Sequence, residues 1–198
     1  MHPRAILFDM DGVLVRSEEI WLRLLEEAGR RFRGRPVTRE EFAPTFGQGT
    51  DADVRVFGLN CTPEELDRYY VENFRNHLEG IWVDPDAAGL LDALHRRDLR
   101  VAVVTNTKQA LAEEVLERAG LRRRVDVLSS ADMVARPKPS PDLIHHALEA
   151  LRLRPEDAWY VGDSRYDREA ASSAGVRFVG LRIEGDARIE RLRDLEGL

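Results

Sequence analysis

Apolar and polar positions fall into two kinds of block along this chain. Residues 4 to 9, Arg-Ala-Ile-Leu-Phe-Asp, form a short continuous apolar run closed by an acid. That pattern predicts a strand buried on both faces, with a carboxylate at its C-terminal end. Similar runs recur at 100–105 (RVAVVT), 125–128 (VDVL), 158–161 (AWYV) and 177–181 (RFVGL), with amphipathic stretches between most of them. Strands alternating with helices predict an α/β fold, a doubly wound parallel sheet covered on both faces. The helices carry punctuation. Ser140-Pro141 reads as an N-cap and a first-turn proline, followed by an apolar face of Leu143, Ile144, Ala147, Leu148 and Leu151. Gly120 and Gly175 read as C-terminal stops. Asp86 to Arg97 predicts a helix with Leu90, Leu91 and Leu94 inward, and Leu192 and Leu195 predict a surface helix near the C-terminus.

The interval from about residue 15 to 99 is too long for an ordinary strand-to-helix connection. Within it Ile20, Trp21, Leu24, Leu25, Ala28 and Phe32 fit one helical face, and Thr38 to Glu41 and Thr62 to Glu65 each have the capping-box pattern. Residues 17–81 are therefore expected to form a small all-helical domain inserted into an α/β core made of 1–16 and 82–198.

Composition narrows the functional classes. Hydrophobic residues at 43% and charged residues at 33% exclude a disordered chain. No apolar run reaches the roughly 18 residues that a membrane span needs. Asp9 and Asp11 interrupt the N-terminal apolar segment, unlike a signal peptide, so a cytoplasmic protein without a membrane role is expected. Cys61 is the only cysteine, which excludes an internal disulfide. A net charge of -6 argues against a nucleic-acid partner. Oligomeric state leaves no sequence trace.

Candidate chemistry lies just after the predicted strands. Asp9-Met10-Asp11-Gly12 puts two carboxylates two residues apart, facing one pocket if the backbone stays extended. Such like charges repel unless a cation or a shared proton compensates. Alone, this is an ordinary acidic turn. Three further features change that reading. Thr105-Asn106-Thr107 offers hydroxyls and backbone N–H groups suited to a phosphate oxygen. Lys138 sits in a proline-flanked turn, one of only two lysines against 28 arginines, where a compact point charge is called for. Gly162-Asp163-Ser164-Arg165-Tyr166-Asp167 brings two more carboxylates to the same edge.

In that order, these four motifs resemble the haloacid dehalogenase superfamily, and the helical insertion resembles its first class of cap domain. Within it, the chain is similar to the phosphoglycolate phosphatase and β-phosphoglucomutase branch. The resemblance implies a phosphatase for a small phosphorylated metabolite. Asp9 would be the nucleophile that becomes an aspartyl-phosphate, and Asp11 the acid and base. Thr105 and Lys138 would hold the phosphoryl group. Mg²⁺ would be bound by Asp9, Asp163 and the Asp11 carbonyl, with Asp167 supporting directly or through water. Two other readings stay open, a sugar-phosphate mutase and a non-catalytic phosphate-binding member. The absence of lysine from 17–81 weakens the mutase reading and counts against the branch that cleaves phosphonates through a cap lysine. A phosphoacceptor receiver domain uses similar residues, but its phosphorylated aspartate follows the third strand.

Lesser motifs add little. Gly47-Gln48-Gly49-Thr50-Asp51-Ala52 matches a dinucleotide pattern but follows no strand and reads as a loop, and His145-His146 lack metal-ligand spacing. For the substrate, Asn106, Thr107 and Lys108 are expected beside the phosphoryl site. If Thr105 caps the next helix, Lys108 lies in its first turn and would hold a second anionic group, as in phosphoglycolate or a bisphosphorylated sugar. Gly47 to Thr50 would close over it, with Gln48 or Arg55 adding contacts.

Overall fold

The computed structural model describes residues 3–198. In chain order the elements are β1 (Ala5–Phe8), β2 (Val15–Arg16), α1 (Glu18–Arg33), α2 (Arg39–Phe42), α3 (Thr50–Phe57), α4 (Pro63–Asn73), β3 (Trp82–Val83) and α5 (Ala87–Arg96). There follow β4 (Arg100–Thr105), α6 (Gln109–Arg118), β5 (Val127–Ser130), α7 (Asp142–Leu151), β6 (Ala158–Gly162), α8 (Arg165–Ala174), β7 (Arg177–Leu181) and β8 (Ala187–Ile189).

Six strands form one parallel sheet in the order β5-β4-β1-β6-β7-β8. Because side chains alternate along a strand, β1 feeds two cores. Ile6 and Phe8 pack on one face with Leu90, Leu94 and Leu111, while Ala5 and Leu7 pack on the other with Leu143, Ala147 and Ala171. This two-sided burial explains why the strands read as continuous apolar runs. From central β1 the chain passes to β4 on one side and later to β6 on the other. The C-terminal ends of these three strands thus meet at a topological switch point, where ligands of open α/β sheets bind.

The insertion leaves through β2 and returns through β3, which pair antiparallel at Val15 with Val83 and Arg16 with Trp82. The Arg16 guanidinium lies 4.0 Å from the centre of the Trp82 ring. Between them stand α1 to α4. Both expected capping boxes form, Thr38 with Glu41 and Thr62 with Glu65. The apolar stripe of α1 meets α4 and the turn after it, with Trp21 packed against Tyr70 and Phe74 at 5.4 and 5.0 Å between ring centroids.

Several expectations are corrected. The third strand is 127–130 instead of 125–128, and α7 starts at Asp142, with Pro141 in the cap position. β8 was not foreseen, since Ala187 and Ile189 alone are too short an apolar signal. The C-terminal surface helix is instead a 3₁₀ turn whose Leu192 and Leu195 are buried beside α5. Among the described residues no helix is long and apolar enough to cross a membrane.

Candidate active site

β1 ends by placing Asp9 in the interior, 3% exposed, with its backbone N–H bonded to Val161 O at 2.9 Å. The chain then turns sharply, and the Met10 N–H donates to Asp9 Oδ1 at 2.7 Å. Burial, together with the charge of Asp167, pushes the Asp9 carboxyl well above the usual carboxylate range. Lys138 opposes that shift from 2.9 Å, on the same Oδ1. Asp9 Oδ2 is therefore the oxygen left to face the cleft.

Lys138 is 4% exposed and reaches the floor of the site from the loop before α7. Its ammonium donates to Asp167 Oδ1 at 2.7 Å, the Tyr160 hydroxyl at 3.0 Å and Val104 O at 3.2 Å. Burial works against its charge, but Asp167 and Asp9 outweigh it and hold the ammonium above the ordinary lysine range. Asn106 fixes the loop itself, accepting from the Lys138 N–H at 2.9 Å and donating to the Lys138 carbonyl at 3.0 Å. Tyr160 was missed in the sequence, although a phenol in a buried strand must find a polar partner. Here it donates to Asp167 Oδ1 at 2.7 Å.

Asp163 and Asp167 follow β6. Asp167 has no oxygen to spare, because Oδ1 receives Lys138 and Tyr160 while Oδ2 receives the Ser164 N–H and hydroxyl at 3.0 and 2.6 Å. Asp163 is the opposite case. Its Oδ1 is buried without a hydrogen-bond partner, and burial with the nearby Asp167 charge pushes its carboxyl up to about 7. Close approach of this side chain depends on Gly12, which has φ +85, since a Cβ there would lie 2.0 Å from Asp163 Oδ2. One ligand atom each of Asp9, Asp163 and Asp167 lies within 4.8 Å of the others. An orphaned buried oxygen among hard anionic donors fits a divalent cation such as Mg²⁺, with Asp9 and Asp163 having oxygens to offer and both oxygens of Asp167 already hydrogen-bonded.

Asp11 is 8% exposed and accepts from both sides of the cleft. Thr107 and Thr105 donate to Oδ2 at 2.8 and 3.4 Å from the core, while the Ser17 hydroxyl and the Trp21 indole, the latter at 3.1 Å, donate to Oδ1. Thr105 does not cap α6. Its hydroxyl accepts from the Thr107 N–H at 3.0 Å, and Lys108 occupies the N-cap position with no side-chain cap. This extra turn directs Lys108 to the insertion, where its ammonium meets Asp67 of α4 at 2.7 Å.

The insertion roofs this region, leaving a cleft with about 640 Å³ of free space, open mouth included. Gly47, Gln48 and Thr50 line it as expected, and the Gly47 carbonyl accepts from Asn106 at 3.0 Å. Arg55 is exposed and does not line it. Two acids that sequence reasoning passed over do. Asp53 is 7% exposed and accepts from Gln48 Nε2 at 2.7 Å and the Tyr70 hydroxyl at 2.9 Å, and Asp67 also accepts from Thr50 at 2.7 Å.

The family model of haloacid dehalogenase-like hydrolases matches residues 6–181. The chain belongs to that family. Among relatives of this hydrolase, phosphoglycolate phosphatase of Rhodospirillum rubrum is 32% identical, over 89% of this chain and 78% of its own. Pyrophosphatase PpaX of Bacillus cereus is 26% identical over 96% and 89% respectively. The crystal structure of CbbY from Rhodobacter sphaeroides in complex with phosphate superposes with a TM-score of 0.85 at 29% identity, covering 98% of this chain and 96% of that one. The hydrolase thus has relatives that act on different small phosphate compounds, and its helical insertion stands where the family carries its cap.

Proposed function

We propose that this hydrolase is a Mg²⁺-dependent phosphatase of small phosphate monoesters, with Asp9 as nucleophile. The carrying observation is a buried carboxylate at the end of β1 with one oxygen held by Lys138 at 2.9 Å and the other facing the cleft, beside an unpartnered Asp163 oxygen. Lys138 and Met10 N–H fix the carboxylate plane, so Oδ2 attacks phosphorus while the bond to the leaving oxygen breaks. Asp11, held between Thr107, Ser17 and Trp21, delivers a proton to that oxygen. It then takes a proton from water, which attacks phosphorus and returns Asp9 as a carboxylate with release of phosphate. Thr105 and Lys138 accommodate charge on the transferring group, as preorganised donors in a dry site do. Asp9 and Asp163 would hold Mg²⁺, which supplies positive charge to the phosphoryl oxygens and offsets the carboxylate crowding. The helices of 17–81 would act as the cap, with the β2–β3 ribbon as its root.

The test is release of phosphate from an aryl phosphate by purified protein. Activity is expected with Mg²⁺, is expected to vanish on chelation and return on readdition, and should fall by about 10³-fold or more in Asp9→Asn with folding unchanged by circular dichroism. A folded Asp9→Asn variant that keeps near-normal turnover would overturn the covalent mechanism.

A further inference from the structure

The cleft is unevenly charged. Its lining includes four carboxylates, Asp9, Asp11, Asp53 and Asp67, and two ammonium groups, Lys108 and Lys138. Lys138 is committed at the floor to Asp9 and Asp167. That leaves Lys108, which is already paired with Asp67 Oδ2 at 2.7 Å, in a lining that also includes Asp53. A second anionic group on the substrate would have to take Lys108 from Asp67, leaving a half-buried carboxylate beside the new anion. Both partners keep part of their side chains in solvent, so breaking the pair costs little by itself, but the freed carboxylate and the incoming anion then repel at short range.

The remaining polar atoms of the roof are acceptors. Asp53 accepts one bond on each oxygen, from Gln48 and Tyr70, and Asp67 accepts one on each, from Thr50 and Lys108. A carboxylate oxygen has two acceptor sites, so each can take a further donor. The apolar part of the wall is Leu25, Phe42, Phe46 and Leu111, which suits the carbon faces of a ring or chain. We propose that the leaving group is an uncharged polyol or sugar whose hydroxyls donate to Asp53 and Asp67, and that the Asp67–Lys108 pair rejects esters bearing a second negative group. This rests on the phosphatase reading above, and it reverses the expectation that Lys108 recruits a second anion.

The experiment compares kcat/KM for an aryl phosphate, neutral hexose and pentose monophosphates, phosphoglycolate and a sugar bisphosphate, in wild type, Asp67→Asn and Asp67→Ala, with Mg²⁺. In the wild type the neutral sugar monophosphates are expected to exceed phosphoglycolate and the bisphosphate by about tenfold or more. Asp67→Asn releases Lys108 and is expected to move the ratio of phosphoglycolate to neutral sugar phosphate toward the dianion by about fivefold or more, with KM carrying the change. If phosphoglycolate or the bisphosphate is preferred while the aryl ester is hydrolysed, the inference fails and the phosphatase reading stands. An unmoved ratio in folded Asp67→Asn and Asp67→Ala also overturns it. Silence on every ester, the aryl phosphate included, overturns both.

Discussion

The two lysines of this chain line one cleft and face opposite physical situations. Lys138, on the core side, is 2% exposed at its side chain and is shared by Asp9 and Asp167. Lys108, at the start of α6 and reaching to the insertion, keeps 34% of its side chain in solvent and holds one acid, Asp67. At the floor, charge is dehydrated and its partners are set by the sheet and the helix that follows it, Asp9 after β1, Tyr160 in β6 and Asp167 in α8. Beneath the roof, charge stays partly hydrated and its one partner comes from helix α4 of the insertion. The same residue type is thus dehydrated and shared by two acids in one place and partly hydrated with a single partner in the other.

Replacing each lysine tests that contrast. Lys138→Met should be the most damaging change, because two buried carboxylates lose their cation. We expect a loss of about 3–5 kcal/mol in denaturant unfolding, and no measurable turnover in protein that still folds. A loss under about 1 kcal/mol would erase the distinction between the two sides. Tyr160→Phe removes one hydroxyl from the same floor and should cost about 1–3 kcal/mol. It should lower kcat more than it raises KM and shift the pH profile of kcat, since Asp167 and Lys138 lose a shared partner; an unchanged profile would make Tyr160 a packing residue only.

On the roof, burial pushes the Asp53 carboxyl up to about 7. A carboxyl raised in the folded state binds its proton more tightly there than when unfolded, so its contribution is full below about pH 4 and is lost as pH rises through about 7. Asp53→Asn should therefore gain thermal stability relative to wild type as pH rises from about 5 to about 8; a constant difference would mean that Asp53 does not titrate there. The smallest effect belongs to Lys108→Ala, expected within about 1 kcal/mol of wild type for a pair so exposed.

The same division governs what could be read in the sequence. Asp9, Thr105 and Asp163 each follow directly on an apolar run, and a parallel sheet gathers those run ends at one edge, so strand pattern alone brings them together. Asp53 and Asp67 lie in amphipathic helices, where an acid looks like part of a solvated face. Only the packing of α3 on α4, which turns Asp53 toward Tyr70, makes them neighbours of the cleft. Lys108 was placed one turn too far along, because the Thr105 hydroxyl closes a turn with Thr107 before α6 begins. Tyr160 was overlooked because it reads as one more bulky residue in a strand. Its hydroxyl is the only polar side-chain group in β6 besides the Trp159 indole N–H.

Trp21 spans the two sides in another sense. Its indole N–H bonds to Asp11 of the core while its ring lies on Tyr70 and Phe74 of the cap, and the other tryptophans, Trp82 and Trp159, sit on the connecting ribbon and in the sheet. Any motion that separates cap from core rehydrates this one indole and changes its emission. The protein thus carries a native fluorophore in the lining of this cleft, and stopped-flow mixing with a phosphate ester can test for cap movement and time it against phosphate release with no label attached.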